Sequence, residues 1–157
     1  MHFDAPVDWV VRTTSIVIPA LCVVFVVAFG SVSVVLGAIV FVVLAGALWS
    51  AWIWCPTGYT VEPARLTVHR RRRDRHVLLH TSTTVEPDPF WEWAWGWRGG
   101  VFGYYGEFRG NGKKIYVAGR RISSRLRITT GTEVTVVMPD RAEAFIAAIE
   151  TASLPTR

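Results

Sequence analysis

Between Arg12 and Glu62 the chain carries no charged side chain, a run of 49 residues covering positions 13–61. As one helix that run would be about 70 Å long at about 1.5 Å per residue. A bilayer's hydrocarbon core is only about 30 Å thick. One span cannot hold the run; two can. The break is expected at "GSVS", residues 30–33, where small and hydroxylated residues interrupt the Val, Ile, Leu and Phe text. The spans are expected near 13–29 and 34–54, behind a short N-terminal segment, 1–12. Both are rich in Val, a strand former in water, but in lipid each span must satisfy its own backbone hydrogen bonds, which favours helix. A helix buried in a water-soluble core rarely runs so long without a charge. A cleaved signal peptide is disfavoured by Asp4 and Asp8, which spoil its basic leading region.

The flanks set an orientation. The turn between the spans is uncharged, whereas Arg65, Arg70, Arg71, Arg72, Arg73 and Arg75 follow the second span closely, where basic residues mark the cytoplasmic side. Trp9 stands at the outer end of span one, and Trp49, Trp52 and Trp54 at the end of span two, as interfacial aromatics do. The expected location is a cell inner membrane, multi-pass, with both termini cytoplasmic. Residues 1–54 hold one Arg against two Asp, a balance of −1, and the remaining 103 hold 16 basic and 10 acidic residues, a balance of +6. A basic part beside a membrane points to anionic headgroups. The text carries no nucleic-acid recognition motif, and no nucleic-acid partner is expected. Cys22 lies inside span one and Cys55 at the edge of span two, so no mutual disulfide is expected. Cys55 is a juxtamembrane position at which an acyl chain is sometimes carried.

From Tyr59 the text changes to short β-type runs bounded by turn residues. "GYTVEPARLTVHR" reads as two strands about a Glu62-Pro63-Ala64 turn, "RRRRDR" as a hairpin tip, and "HVLLHTSTTV" as the return strand. "VFGYYGEF", "KKIYVAG" and "LRITTGTEVTVV" supply the rest, the last turning around Thr130-Gly131, for about seven strands. "PDRAEAFIAAIETA" then offers Asp140 as an N-cap with Glu143 three residues on. Phe145, Ile149 and Ala152, with Ala148 beside them, form an apolar stripe at helical spacing. The fold class is α+β: a helical hairpin, then a strongly bent antiparallel sheet closed by a C-terminal helix.

The region resembles the bacterial pleckstrin-homology-like (PH-like) domains of small membrane proteins, which follow a two-helix hairpin. "YTVEPARLTV", "GGVFGYYGEF", "KKIYVAG" and "MPDRAEAFIAAI" carry the resemblance, over roughly residues 57–150. It implies a barrel of seven strands with a capping helix, a cytoplasmic domain over 57–152 and a tail at 153–157. It supplies no catalytic residues. Many PH domains carry a basic lipid site on their first hairpin loop, so by analogy it points to Arg70, Arg71, Arg72, Arg73 and Arg75 as headgroup contacts.

Two stretches remain. In "RGGVFGYYGEFRG", residues 98–110, Gly103 and Gly106 are read as bulges or close approaches that let a small sheet bend. Neither a GxxxxGK[ST] phosphate loop nor a GxGxxG dinucleotide turn is present. "WEWAWGW" places Trp91, Trp93, Trp95 and Trp97 on one face if extended, as a core strip, a subunit contact or an interfacial strip on headgroups. His76 and His80 share a strand face without an acid or Cys at ligand spacing, so no metal and no cofactor is expected. Glu86 and Asp88 sit in a proline loop, and no catalytic motif is recognisable. The expected role is a membrane-anchored binding or scaffolding module. The alternative is an accessory subunit of a transporter or envelope enzyme that works through its hairpin with an unidentified membrane-protein partner. Ser15, Ser31, Ser33 and Ser50 are too few to mark a transport path. Gly46 and Ser50, four apart, are a candidate helix-packing pair.

Overall fold

The computed structural model describes residues 1–88, 99–100, 102–110 and 113–153. The Trp91 to Trp97 strip, read as a core strip, a subunit contact or an interfacial strip, falls outside them. The chain is α+β. A short strand, β1 (His2–Asp4), precedes two helices, α1 (Trp9–Val32) and α2 (Val34–Trp54), each long and apolar enough to cross a membrane. The nine later strands are β2 (Pro56–Glu62), β3 (Arg65–Arg70), β4 (Arg75–Leu78), β5 (Thr84–Pro87), β6 (Gly99–Gly100), β7 (Gly103–Gly110), β8 (Lys113–Gly119), β9 (Leu126–Thr130) and β10 (Glu133–Val137). Helix α3 (Ala142–Ser153) follows.

Helix α1 starts earlier than expected because Asp8 caps it: its Oδ1 accepts the Val11 N–H at 2.8 Å. Arg12 lies in the first turn, and a charge there does not stop a helix. The break is narrower than expected, a single extended residue, Ser33. Helix α2 occupies the expected 34–54. The helices touch backbone to backbone at Gly37, where an added Cβ would stand 2.7 Å from the Gly30 Cα. Only glycine permits that approach. The expected packing position Gly46 has open space around it instead.

The strands form two sheets rather than one closed barrel. One has the order β1-β2-β3-β4; the other is β5-β9-β10-β8-β7 with the two-residue β6 at its edge. Two features depart from the antiparallel outline. The N-terminal segment is part of the β architecture, Phe3 pairing with Tyr59. And β10 runs parallel to β8, Val134 opposite Ile115. The short 120–125 connection turns β9 back against β8, and β10, inserted between them and antiparallel to β9, therefore runs with β8.

Alternation explains the core. Tyr59 and Val61 on β2, and Leu66 and Val68 on β3, point inward at a period of two. They meet Tyr116 and Ala118 of β8, Leu126 and Ile128 of β9, and Phe145 and Ile149 of α3. Phe3 joins them, its ring 5.0 Å from Phe145 in edge contact. The other face of the larger sheet is buried too, through Ile115, Val117, Val134, Val136 and Met138, with Val11 of α1 in the same cluster. Burial on both faces is why "VTVV" reads as nearly continuous apolar text.

The stripe expected on α3 is present: Phe145 and Ile149 are buried, with Ala148 and Ala152 packed beside them. Asp140 is used differently from the expected cap. Its N–H donates to the Asp4 carbonyl at 3.2 Å and its Oδ2 accepts from Arg141 Nε at 3.2 Å, while the Arg141 carbonyl takes the Phe145 N–H. At Gly103 an added Cβ would come within 3.0 Å of the Gly119 carbonyl oxygen, a close approach. No register shift interrupts the β7–β8 ladder, so the expected bulges are absent there.

Within the buried core, one side chain bridges the two sheets by hydrogen bonds. The Tyr59 hydroxyl, fully buried, donates to the Ala118 carbonyl at 2.7 Å and accepts the Met138 N–H at 3.2 Å. Burial pushes its pKa far up, so it stays protonated and able to donate. Tyr59→Phe removes both bonds inside an apolar core and is expected to cost about 1–3 kcal/mol. Thermal unfolding of the full chain in detergent micelles, followed by near-ultraviolet circular dichroism, reads this directly. An unmoved midpoint would show that the bridge does not hold the sheets together.

Candidate functional site

Strand register delivers the arginines to the end of α2. Cys55 turns the chain out of the helix, β2 begins at Pro56, and Pro56 pairs with Arg70 at the far end of β3. The segment after Arg70 therefore emerges beside Trp54. Asp74 closes this tip: its Oδ1 accepts the Arg70 N–H at 3.2 Å, and its Oδ2 lies 2.9 Å from His69 Nδ1. The arginines join β3 to β4, the second hairpin after the helices. The fold analogy placed the basic site on the first hairpin, which here is the Pro63-Ala64 turn flanked by a Glu62–Arg65 ion pair.

The five arginines are not equivalent. The Arg70 guanidinium lies 5.3 Å from the Trp54 ring centroid and 5.0 Å from that of Tyr116. Arg71 sits 4.3 Å over Trp52. Arg75 sits 4.0 Å over Tyr116 and pairs with Glu107 of β7. These three clamp the β3–β4 hairpin to the end of α2 and to the larger sheet. Arg72 and Arg73 are exposed, with no ion pair, hydrogen bond or ring contact among the described residues. They are the two arginines of the tip with neither a carboxylate nor a ring partner among the described residues.

Two open grooves adjoin there. One, of about 820 Å³, is lined by Trp54, His76 and four arginines (Arg70, Arg72, Arg73 and Arg75), with Asp74 and Glu107. Both carboxylates are already engaged. The second, of about 670 Å³, lies along α2 and is lined by Trp49, Trp52, Ile53, Arg71 and Arg72. Arg72 lines both. The Trp49 and Trp52 rings are 5.2 Å apart, and Trp9, 77% exposed, opens α1 at the same end of the hairpin as Trp54. The basic tip and the Trp belt, read separately from sequence, thus form one surface. Tyr116 and Glu107 went unread. They are cross-strand partners on the second sheet, and only the packing of one sheet on the other brings them to the arginines.

A polar line crosses the smaller sheet from Asp74, at the edge of the larger groove. Asp74 holds His69 Nδ1, His69 Nε2 lies 2.7 Å from Thr60 Oγ1, and Thr60 Oγ1 lies 3.2 Å from His2 Nδ1. Acid, imidazole and hydroxyl stand in the order that activates a nucleophile. Neither groove at the tip includes Thr60, and what the line visibly does is tie β1, β2 and β3 together. His76 Nδ1 lies 3.0 Å from Thr67 Oγ1 and its residue lines the larger groove, while His80 is exposed. No cluster of three or more His, Cys, Asp or Glu fit for a metal occurs among the described residues. Cys55 is buried, its thiol directed at the Phe102 carbonyl at 3.0 Å, which places it out of reach of an acylating group. Burial raises its pKa against the opposing pull of Arg120 and Arg71.

The chain matches no family model, no curated protein and no solved structure. The PH-like resemblance rests on the sequence motifs quoted above.

The Asp74 carboxyl is held below its usual range. Burial pushes its pKa up, but the Arg70 N–H and the His69 ring, with the charge of His76, pull it further down. A carboxyl whose pKa falls on folding stabilises the fold above its unfolded value, about 4, and loses that contribution as pH drops through the folded value. Asp74→Asn is therefore expected to flatten the loss of thermal stability below about pH 4. Melting midpoints from pH 5 to pH 2 check this; parallel profiles would exclude a role for Asp74 in closing the tip.

Proposed function

We propose that the chain is a two-span membrane protein whose PH-like β domain is a binding or scaffolding module seated on the anionic cytoplasmic face of a bacterial inner membrane. The observation that carries this reading is the pair of free guanidiniums, Arg72 and Arg73, beside the Trp49, Trp52 and Trp54 belt. Each basic residue near an anionic surface contributes about 1 kcal/mol, so the three exposed arginines, Arg71, Arg72 and Arg73, supply roughly 3 kcal/mol, short of the figure for five. For a domain already tethered by its helices, that is enough to bias orientation without a deep pocket.

Support for a hairpin with both ends on one side comes from β1. It pairs with β2, and Asp8 donates its N–H to the Arg120 carbonyl at 3.0 Å, so the chain before α1 and the chain after α2 belong to one β architecture. The arginines after α2 and the uncharged turn between the helices favour the cytoplasmic side. A fragment beginning at Gly58 would lack Phe3 and Val11, so experiments require the full chain.

Two measurements test the reading. With Cys22 and Cys55 replaced, a single cysteine at Ser31 should react with an impermeant thiol reagent in intact spheroplasts, and one at Glu150 only after lysis. The reverse pattern would overturn the orientation. In nanodiscs, phosphatidylglycerol should raise the melting midpoint of the wild type relative to phosphatidylcholine, and high salt should erase the gain. An equal gain in Arg72→Ser/Arg73→Ser would remove these arginines from the interaction.

A further inference from the structure

We infer that the two grooves meeting at Arg72 form a single site for one anionic glycerophospholipid molecule, with its phosphate on Arg72 and Arg73 and its glycerol and upper acyl chains along Trp49, Trp52 and Ile53. The inference rests on the headgroup reading above and goes beyond it, because a smeared surface attraction needs no bound molecule.

The order of chemistry along the surface carries it. The groove at the tip is basic, the groove along α2 is aromatic and aliphatic, and Arg72 lines both, so a phosphate at Arg72 has an apolar wall next to it. From Trp54 back to Trp49 is five residues of helix, about 7.5 Å at about 1.5 Å per residue. That is within the roughly 5–10 Å to which interfacial apolar surfaces are buried at the headgroup/acyl boundary. Each groove is of a volume ordinary for a small-molecule site, about 300–1,000 Å³.

Charge sets the class of lipid. Glu107 pairs with Arg75, and Asp74 accepts the Arg70 backbone N–H and faces His69, so the two carboxylates at the tip are engaged and outnumbered by the arginines around them. The side chains of Arg70, Arg71, Arg72 and Arg73 have no carboxylate partner among the described residues, so the tip carries excess positive charge, and Arg72 and Arg73 are free of ring contacts as well. A phosphodiester or phosphomonoester without an ammonium satisfies it. A choline or ethanolamine headgroup would bring a second cation against two guanidiniums, a repulsion that discriminates by itself.

Native mass spectrometry of the full chain in an uncharged detergent tests the site, with phosphatidylglycerol, phosphatidylcholine or soluble glycerol phosphate added in turn. The expected result is one phosphatidylglycerol adduct that saturates before others form, with phosphatidylcholine and glycerol phosphate at least tenfold weaker. Arg72→Ser/Arg73→Ser should weaken the phosphatidylglycerol adduct at least tenfold, Arg72→Lys/Arg73→Lys should retain most of it, and Trp49→Ala should weaken it severalfold. Equal binding of glycerol phosphate would make the ligand a free phosphoester and overturn the lipid assignment. Several adducts, equal for both lipids, would overturn the single site. If the nanodisc stabilisation by phosphatidylglycerol persisted in that case, the surface reading would stand and only this inference would fall.

Discussion

The guanidinium of Arg70, between the Trp54 ring at the end of α2 and the Tyr116 ring of β8, is the contact on which the placement of the β domain depends. It joins three elements at one point: the last helical residue, the end of β3 and the centre of the larger sheet. Contacts of this kind contribute about 0.5–2 kcal/mol each, more when water is excluded. Arg71 over Trp52 and Arg75 over Tyr116 repeat the theme within a few residues. Together they turn the connection at Cys55 from a flexible joint into a docked one. The guanidinium suits this task because it is planar, weakly hydrated and stacks on aromatic faces, which lysine does not do as well.

A second attachment comes from the N-terminal side. Strand β1 extends the smaller sheet, Val11 lies in the cluster behind the larger sheet, and the Asp8 N–H reaches the Arg120 carbonyl. The helical hairpin therefore meets the β domain through both of its ends, and Tyr59 ties the two sheets together at the core. With the domain fixed to both ends of the hairpin, Arg72 and Arg73 are held beside the end of α2. In the proposed reading that place is in the headgroup layer, and a fixed position is what lets so few charges matter.

Much of the architecture is legible in the sequence where it depends on local text. The absence of charge over residues 13–61 yields the two helices, and the small residues near Ser33 yield their break. The Pro63-Ala64 turn, the arginine tip and the Phe145/Ile149 stripe follow from turn chemistry and periodicity. What escapes is non-local. Three residues, His2–Asp4, are too few to show alternation, and their partner strand lies beyond both helices. The parallel pairing of β8 and β10 depends on an insertion that no local pattern announces. The inequality of the five arginines escapes for the same reason. "RRRRDR" reads as a uniform charge run, and only Trp52, Trp54, Tyr116 and Glu107, brought in from other elements, divide it into clamp and free pair.

The central claim is that the arginine–aromatic clamp holds the β domain in one position on the end of the helical hairpin. Pulsed electron paramagnetic resonance between spin labels at Ser31, at the far turn of the hairpin, and Thr151, on α3, measures this in nanodiscs with the native cysteines replaced. The account predicts a single narrow distance distribution in both neutral and anionic bilayers, broadened when Arg70 and Arg71 are replaced by Ser. A broad distribution in the otherwise unmodified protein, or one indifferent to the loss of Arg70 and Arg71, would contradict it.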